Sequence, residues 1–277
     1  MFDRQVKNSF YSEHIARFGS IENFFDELTD LMARKRKMIE LNETLDDLQN
    51  GYYIIQKNDG FRFGIDAVLL SDFAKSATGK VMDLCTGTGI IPLLLSAKSK
   101  AVHIDAVEIQ PEIADMAKRS VEYNSLQSKI NVVCVDLNDA PQIFGKSIYD
   151  TVTVNPPYMR TGSGLLNEND TKTVSRHEIK CNLDDVIRVS AQLLKPHGKM
   201  FMVHRPSRLA EIFSAMREYK LEPKIMRLIA PCEDKEVNLV LICGIKCAKS
   251  DLKIMPTLYV YNKDGGYTKE IDEIYGR

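Results

Sequence analysis

Apolar and polar positions follow two periodicities along most of this 277-residue chain. From Lys80 onward, short apolar runs of strand length alternate with segments whose apolar residues recur three and four apart, the spacing of one helix face. The pattern predicts strands at 81–85, 103–109, 130–135, 149–154 (most clearly at 152–154), 199–204, 224–230 and 239–245. It predicts helices at 89–97, at 111–124 with Pro111 near the first turn, at 183–194 and at 208–219. Such alternation implies a doubly wound α/β sheet of about seven mainly parallel strands with helices on both faces.

Four stretches break the alternation. Residues 1–40 form a separate N-terminal extension ahead of a domain spanning 41–277. Ser20 is placed to cap a helix carrying Ile21, Phe24, Phe25, Leu28 and Leu31, with Arg34 to Lys37 at its C-terminal end. That helix reads as peripheral packing or, with Met38 as the original start, as an upstream extension; contact with RNA or a partner is the alternative. Residues 60–65 make a glycine-bounded aromatic turn, a core plug or a flap that lays Phe63 over a ligand, and Asp66 is the expected N-cap of the helix that follows. Residues 159–180 lack periodicity and read as a long loop, in its sharpest interpretation a lid over a substrate. The tail from Pro256, with Tyr259, Tyr261, Tyr267 and Tyr275 around an Asn-Lys-Asp-Gly-Gly turn, suggests a small hairpin or strap.

Composition narrows the class. Hydrophobic residues at 44% and charged residues at 27% suit a soluble globular protein, and no apolar run reaches the ~18 residues of a bilayer span. A cytoplasmic location is expected. The six cysteines contain no C-x-x-C pair and read as buried free thiols, and the five histidines show no ligand spacing, so no metal is predicted. A net charge of −1 argues against coating nucleic acid through bulk charge. Between Lys172 and Lys253, however, 16 Lys or Arg face 10 Asp or Glu, compatible with a partly basic face or with a mixed solvated surface.

The chemistry gathers at strand ends. Asn155-Pro156-Pro157-Tyr158 follows an apolar strand, and the double proline stops that strand abruptly, presenting an amide, rigid carbonyls and an aromatic ring. Such a set suits a planar group that carries an NH2. Asp83-Leu84-Cys85-Thr86-Gly87-Thr88-Gly89 lies between a strand and a helix, where glycines let backbone approach a ligand. Pro92 stands where a dinucleotide fingerprint has its third glycine, which counts against nicotinamide or flavin. Asp83, Glu108 and Asp136 fall at three consecutive strand tips. They surround a nucleoside-sized slot without cations for phosphate and favour a cofactor with a ribose, an adenine and a positive centre.

The constellation resembles the Rossmann-like S-adenosylmethionine-dependent methyltransferases, and the Asn-Pro-Pro-Tyr tetrad matches their amino-group branch. Over residues 45–277, the aromatic turn with its helix (61–70), the tetrad, Ser175-Arg176-His177-Glu178 and the 259–268 tail resemble the bacterial tRNA1(Val) adenine-37 N6-methyltransferase family. The resemblance implies methylation of the exocyclic N6 amine of an adenine in a tRNA anticodon loop. It places Asp83, Gly87 and Gly89 along the methionine part of the cofactor, Glu108 on the ribose, and Asp136 with Leu137 at the cofactor adenine. It makes Asn155 and the Pro156 carbonyl acceptors for the target N–H bonds and Tyr158 the stacking face, with Pro157, Arg176 and His177 on the substrate side. Two rivals share the tetrad: N5-glutamine methylation of a translation release factor, and N2-guanine methylation of ribosomal RNA.

Overall fold

The computed structural model describes Thr29, Ala33 and residues 38–48, 51–59, 62–157 and 182–277. The expected helix over 21–31, apart from Thr29, and the expected loop at 159–180 lie outside the described residues. The first described elements are two strands that the apolar pattern did not reveal, β1 (Glu43–Asp47) and β2 (Tyr53–Lys57), paired as an antiparallel hairpin. There follow α1 (Ile65–Phe73), β3 (Thr78–Leu84), α2 (Ile90–Lys98), β4 (Lys100–Glu108), α3 (Pro111–Tyr123) and β5 (Ile130–Cys134). A 3-10 turn at Leu137–Asp139 leads into α4 (Ala140–Ile143) and β6 (Tyr149–Val154). The C-terminal part comprises α5 (Leu183–Leu193), β7 (Leu194–His204), α6 (Leu209–Glu218), β8 (Leu221–Ala230), β9 (Leu239–Lys246), β10 (Lys253–Tyr259) and α7 (Lys269–Tyr275).

Eight strands form one sheet in the order β10-β8-β9-β7-β6-β3-β4-β5. The seven expected strands are all present, and β10 is the eighth. It pairs parallel to β8 at the sheet edge, with an irregularity between Met255 and Leu258 that brackets Pro256. Proline cannot donate to a ladder, so an edge position is where such a strand can exist. The tail also differs from a plain hairpin: Tyr261 and Tyr267 make an isolated antiparallel bridge, and α7 follows it, capped by Thr268.

The sheet is parallel except around β9, which runs antiparallel to both β7 and β8. Winding proceeds from β3 to β4 and β5 on one side, and from β6 to β7 on the other, so the direction reverses between β3 and β6. Side chains alternate to two faces. Phe201, Val203, Leu241 and Cys243 join α1, α2, α3 and α7 in one core, while Met200, Met202, Val240 and Ile242 join α5 and α6 in the other. Burial on both faces explains the near-continuous apolar runs in the sequence.

The hairpin is bound to α3 rather than to the sheet. Arg119 on α3 forks onto both carboxylate oxygens of Glu43 at 2.6 and 2.7 Å and reaches the Met38 carbonyl at 2.6 Å. Ser120 accepts from the Ile55 amide, and Asn124 exchanges two bonds with the Tyr53 backbone. Among the described cysteines, the expectation of buried thiols holds only for Cys243; Cys134 and Cys247 are exposed and Cys85 and Cys232 half-buried. Strand-like apolar runs bury one residue in two at strand ends, and these thiols fall at such ends.

Candidate active site

Five neighbouring strands end at one cavity of about 530 Å³. Its lining comprises the residues that follow β3 (Cys85, Thr86, Gly87), those that close β4 (Glu108, Ile109, Gln110) and those that follow β5 (Val135, Asp136, Leu137). Asn155, Pro156 and Pro157 follow β6, and Arg205 follows β7. A roof comes from the turn ahead of α1, through Arg62, Phe63, Gly64 and Asp66. The cavity thus occupies the carboxyl ends of the strands at the point where winding reverses, the general location of ligand crevices in open α/β sheets.

The floor is a backbone device. Cys85 (φ 57°), Gly87 (φ 58°) and Gly89 (φ 87°) are all left-handed, which coils the loop between β3 and α2 under the cavity. The Gly87 amide donates to Glu108 Oε2 at 3.0 Å, and the Gln110 amide donates to Oε1 at 3.0 Å. The Glu108 carboxylate is therefore fixed in orientation while each oxygen keeps a further lone pair. Gly89 does not line the cavity: a Cβ there would meet the Ala117 Cβ at 3.3 Å, so its role is close packing of α2 on α3.

Asp83 also stands behind the lining. It is fully buried in β3, and Thr153, its cross-strand neighbour on β6, donates to its Oδ1 at 2.5 Å. Burial pushes its pKa up to about 7, opposed by the Thr153 and Thr86 hydroxyls and assisted by Glu108. Asp83 Oδ2 and the hydroxyls of Thr86 and Thr88 are buried without a well-formed hydrogen bond within the described residues. Unsatisfied polar atoms under a coiled loop are costly in a closed core and reasonable beneath a polar ligand.

Asp136 caps the turn after β5, accepting from the Asn138 amide at 2.9 Å and from its side chain at 3.1 Å. Leu137 is buried beside it, and Ile90, Ile91, Val107, Ile109, Ile113 and Val135 make the remaining wall apolar. Carboxylates and apolar flats on the β4–β5 side, with no cation there, fit a nucleoside that carries a positive centre. They do not fit a dinucleotide.

The tetrad faces this floor from the other side of the reversal. Asn155 Nδ2 donates to Asp66 Oδ2 at 3.2 Å, which turns the amide so that its acceptor oxygen is the edge away from Asp66. Asp66 is itself tied down, its Oδ1 accepting from the Ala67 amide at 3.0 Å. A Cβ on Gly64 would lie 2.6 Å from that oxygen, so a larger residue there would displace the carboxylate from this position. The expected N-cap assignment is corrected here: Gly64 is the N-cap of α1 and makes no side-chain cap, while Asp66 lies in the first turn and reaches across to Asn155.

Phe63 lies over the cavity as part of the roof. Its amide donates to Gln56 Oε1 at 2.9 Å, Gln56 donates to Asp46, and Arg62 pairs with the same Asp46 at 2.5 Å. The β1–β2 hairpin therefore sets the height of the roof. The structure brings together Gly87, Glu108, Asp136, Leu137, Phe63, Asn155, Pro156 and Pro157 around one space. Tyr158, Arg176 and His177 lie outside the described residues. Sequence reasoning did not assign Asp66, Thr86 or Arg205 to the site, reading Asp66 only as a helix cap. Thr86 and Arg205 had one available signal, a position immediately after a predicted strand, and Asp66 had none beyond its place after Gly64.

A family model for the methyltransferase small domain matches residues 64–224. The tRNA1(Val) (adenine(37)-N6)-methyltransferase of Dyadobacter fermentans is 30% identical over 206 residues, covering 72% of this chain and 82% of its own length. Among solved structures, one described as a predicted O-methyltransferase from Agrobacterium tumefaciens matches at a TM-score of 0.62 and 21% identity, over 76% of this chain and 95% of that one. M. jannaschii TYW2 in complex with AdoMet matches at a TM-score of 0.52 and 13% identity, over 74% of this chain and 86% of that one. The two structures share the fold.

Proposed function

The chain belongs to the methyltransferase small domain family and, within it, to the tRNA1(Val) (adenine(37)-N6)-methyltransferases, and on that premise we propose that its cavity methylates the N6 amine of an adenine in a tRNA anticodon loop. The cofactor is S-adenosylmethionine, which supplies an electrophilic methyl group when bound. The floor fits it: Glu108 offers carboxylate lone pairs for ribose hydroxyls, and Leu137 with Val135 offers an apolar seat for the cofactor adenine. Gly87 and Thr86 on the floor would border the methionine part, with the buried Asp83 carboxyl behind them.

The observation that carries the reading is the Asn155 amide, anchored through its NH2 on Asp66 at the edge of the same space as Glu108 and Gly87. An exocyclic amine is a poor nucleophile because its lone pair is delocalised into the ring. Asn155 Oδ1 and the Pro156 carbonyl, accepting its two N–H bonds, rotate that lone pair out of conjugation. The same two acceptors stabilise positive charge as it develops on the nitrogen, so the chemistry rests on positioning and electrostatics without a dedicated base. Stacking on Tyr158 contributes ~1–3 kcal/mol to holding the base. A base in a loop also enters with less unstacking than one in a duplex.

The test is methyl transfer from labelled S-adenosylmethionine to tRNA purified from a strain lacking the enzyme. Label is expected in adenine, and Asn155→Ala is expected to abolish it. No label in adenine, or full activity in the Asn155→Ala protein, sinks the proposal.

A further inference from the structure

Apart from Arg62 and Asp66 in the roof, which are held by Asp46 and Asn155, the charges on the strand tips around the cavity are segregated. Glu108 and Asp136 stand on the β4–β5 side, whereas Arg205 stands at the tip of β7, beyond the tetrad at the tip of β6. With strands ~4.8 Å apart, Arg205 is one spacing from Asn155–Pro157 and three, or ~14 Å, from Glu108. The cation therefore borders the half of the cavity assigned to the acceptor. We propose that Arg205 is a phosphate-binding residue for the sugar-phosphate backbone of the acceptor strand. The inference rests on the reading that the acceptor is RNA, and adds a residue and a ligand group to it.

Three observations support the assignment. Arg205 is exposed at the cavity rim, and its Nη1 donates to the Asn238 carbonyl at 3.1 Å, which orients the guanidinium fork. The Asn238 amide donates in turn to the Ile229 carbonyl, so the brace belongs to the sheet. Beneath it, His204 is buried, its Nδ1 accepting from the Arg205 amide at 2.8 Å, and burial holds its pKa well down, at about 4. The strand tip is thus braced, with a neutral imidazole beneath the Arg205 guanidinium. The other cation on the lining, Arg62, sits in the roof and is ion-paired with Asp46, which fixes the hairpin instead.

An adenine arriving within a polynucleotide brings a phosphate on either side of its ribose, close to the base that the tetrad holds. A planar, permanently charged fork meets a phosphate bidentately, which lysine does not. S-adenosylmethionine carries no phosphate, and its one anionic group, the methionine carboxylate, is distinguished from an RNA phosphate by measuring S-adenosylhomocysteine binding.

The experiment compares the full chain with Arg205→Gln and Arg205→Lys. KM for tRNA, its dependence on salt, and S-adenosylhomocysteine binding by calorimetry are measured for each. Arg205→Gln is expected to raise KM for tRNA roughly ten-fold with kcat nearly unchanged, and to reduce the salt slope by about one, as removal of one phosphate contact does. Arg205→Lys is expected to keep the wild-type slope with an intermediate KM, and S-adenosylhomocysteine binding is expected to be unchanged in both. An unchanged KM and slope in Arg205→Gln overturns the inference while leaving the proposed function standing. Loss of S-adenosylhomocysteine binding in a folded variant overturns it too, assigning Arg205 to the cofactor carboxylate. If the unmodified protein labels no RNA base, both readings fall.

Discussion

Replacing Asp83 by asparagine should stabilise this protein at alkaline pH, although Asp83 opens the glycine loop on which the cavity is built. The wild-type carboxyl is fully buried, and its pKa is pushed from 3.8 to about 7. Between these values the folded chain holds a proton that the unfolded chain has released, so folding stability falls as pH rises. The loss is complete above pH 7 and absent below pH 3.8. The gap corresponds to about 4 kcal/mol. Asparagine keeps an acceptor for the Thr153 hydroxyl, and the Thr86 hydroxyl, which lacks a well-formed partner, can accept from its NH2. Urea denaturation of both proteins from pH 4 to 8.5 isolates this group, because every other titration is shared. The difference in unfolding free energy should move by about 4 kcal/mol in favour of Asp83→Asn across that range. A difference that stays constant with pH refutes the reasoning, since it would mean that Asp83 ionises as an ordinary aspartate. The same substitution should weaken S-adenosylmethionine binding, because it removes the negative charge beneath the loop.

Two further outcomes follow from the contacts around the roof. Asp66→Ala frees the Asn155 amide to rotate, so kcat should fall roughly ten- to a hundred-fold with S-adenosylhomocysteine affinity retained, measured by single-turnover transfer and calorimetry. Neutralising the Glu43 partner of Arg119 with Glu43→Gln should cost about 1–2 kcal/mol in chemical denaturation, since Arg119 keeps Asp115 and the Met38 carbonyl. Arg119 holds the Glu43 pKa below its usual value, so the stability contributed by the pair is present above about pH 4.5 and is lost as pH falls through the lowered value.

The parallel strands were legible because burial on both faces removes most polar residues from the run, as in Met200 to Val203 and, Asp83 apart, Val81 to Leu84. The edges were not. In β10, with Pro256 at its centre and Ile254 exposed, no such uniformity marks a strand, and its pairing with β8 depends on sheet order. The β1–β2 hairpin rests on Arg119, Ser120 and Asn124, residues some seventy positions away. The tetrad and the glycine loop were visible as local patterns, since proline and glycine act on their own backbone. The link between Asp66 and Asn155 spans 89 positions and exists only once the first turn of α1 meets the tip of β6. Local capping preferences assigned Asp66 to the helix, whereas tertiary placement gave it to the amide. Asp83 was read as a strand-tip acid and, with Gly89, was placed at the cofactor by the family resemblance; in the structure neither is on the cavity lining, Asp83 being fully buried behind it and Gly89 packed on Ala117.

The central claim is that the tetrad and the glycine loop deliver a methyl group to the N6 of an RNA adenine. Its most direct test is mass spectrometry of nucleosides from bulk tRNA incubated with the full chain and isotopically labelled S-adenosylmethionine. Label in N6-methyladenosine, mapped by nuclease digestion to an anticodon-loop fragment and absent with Asn155→Ala, is the predicted result. Label in N2-methylguanosine, or unlabelled RNA alongside a labelled release-factor glutamine, contradicts it.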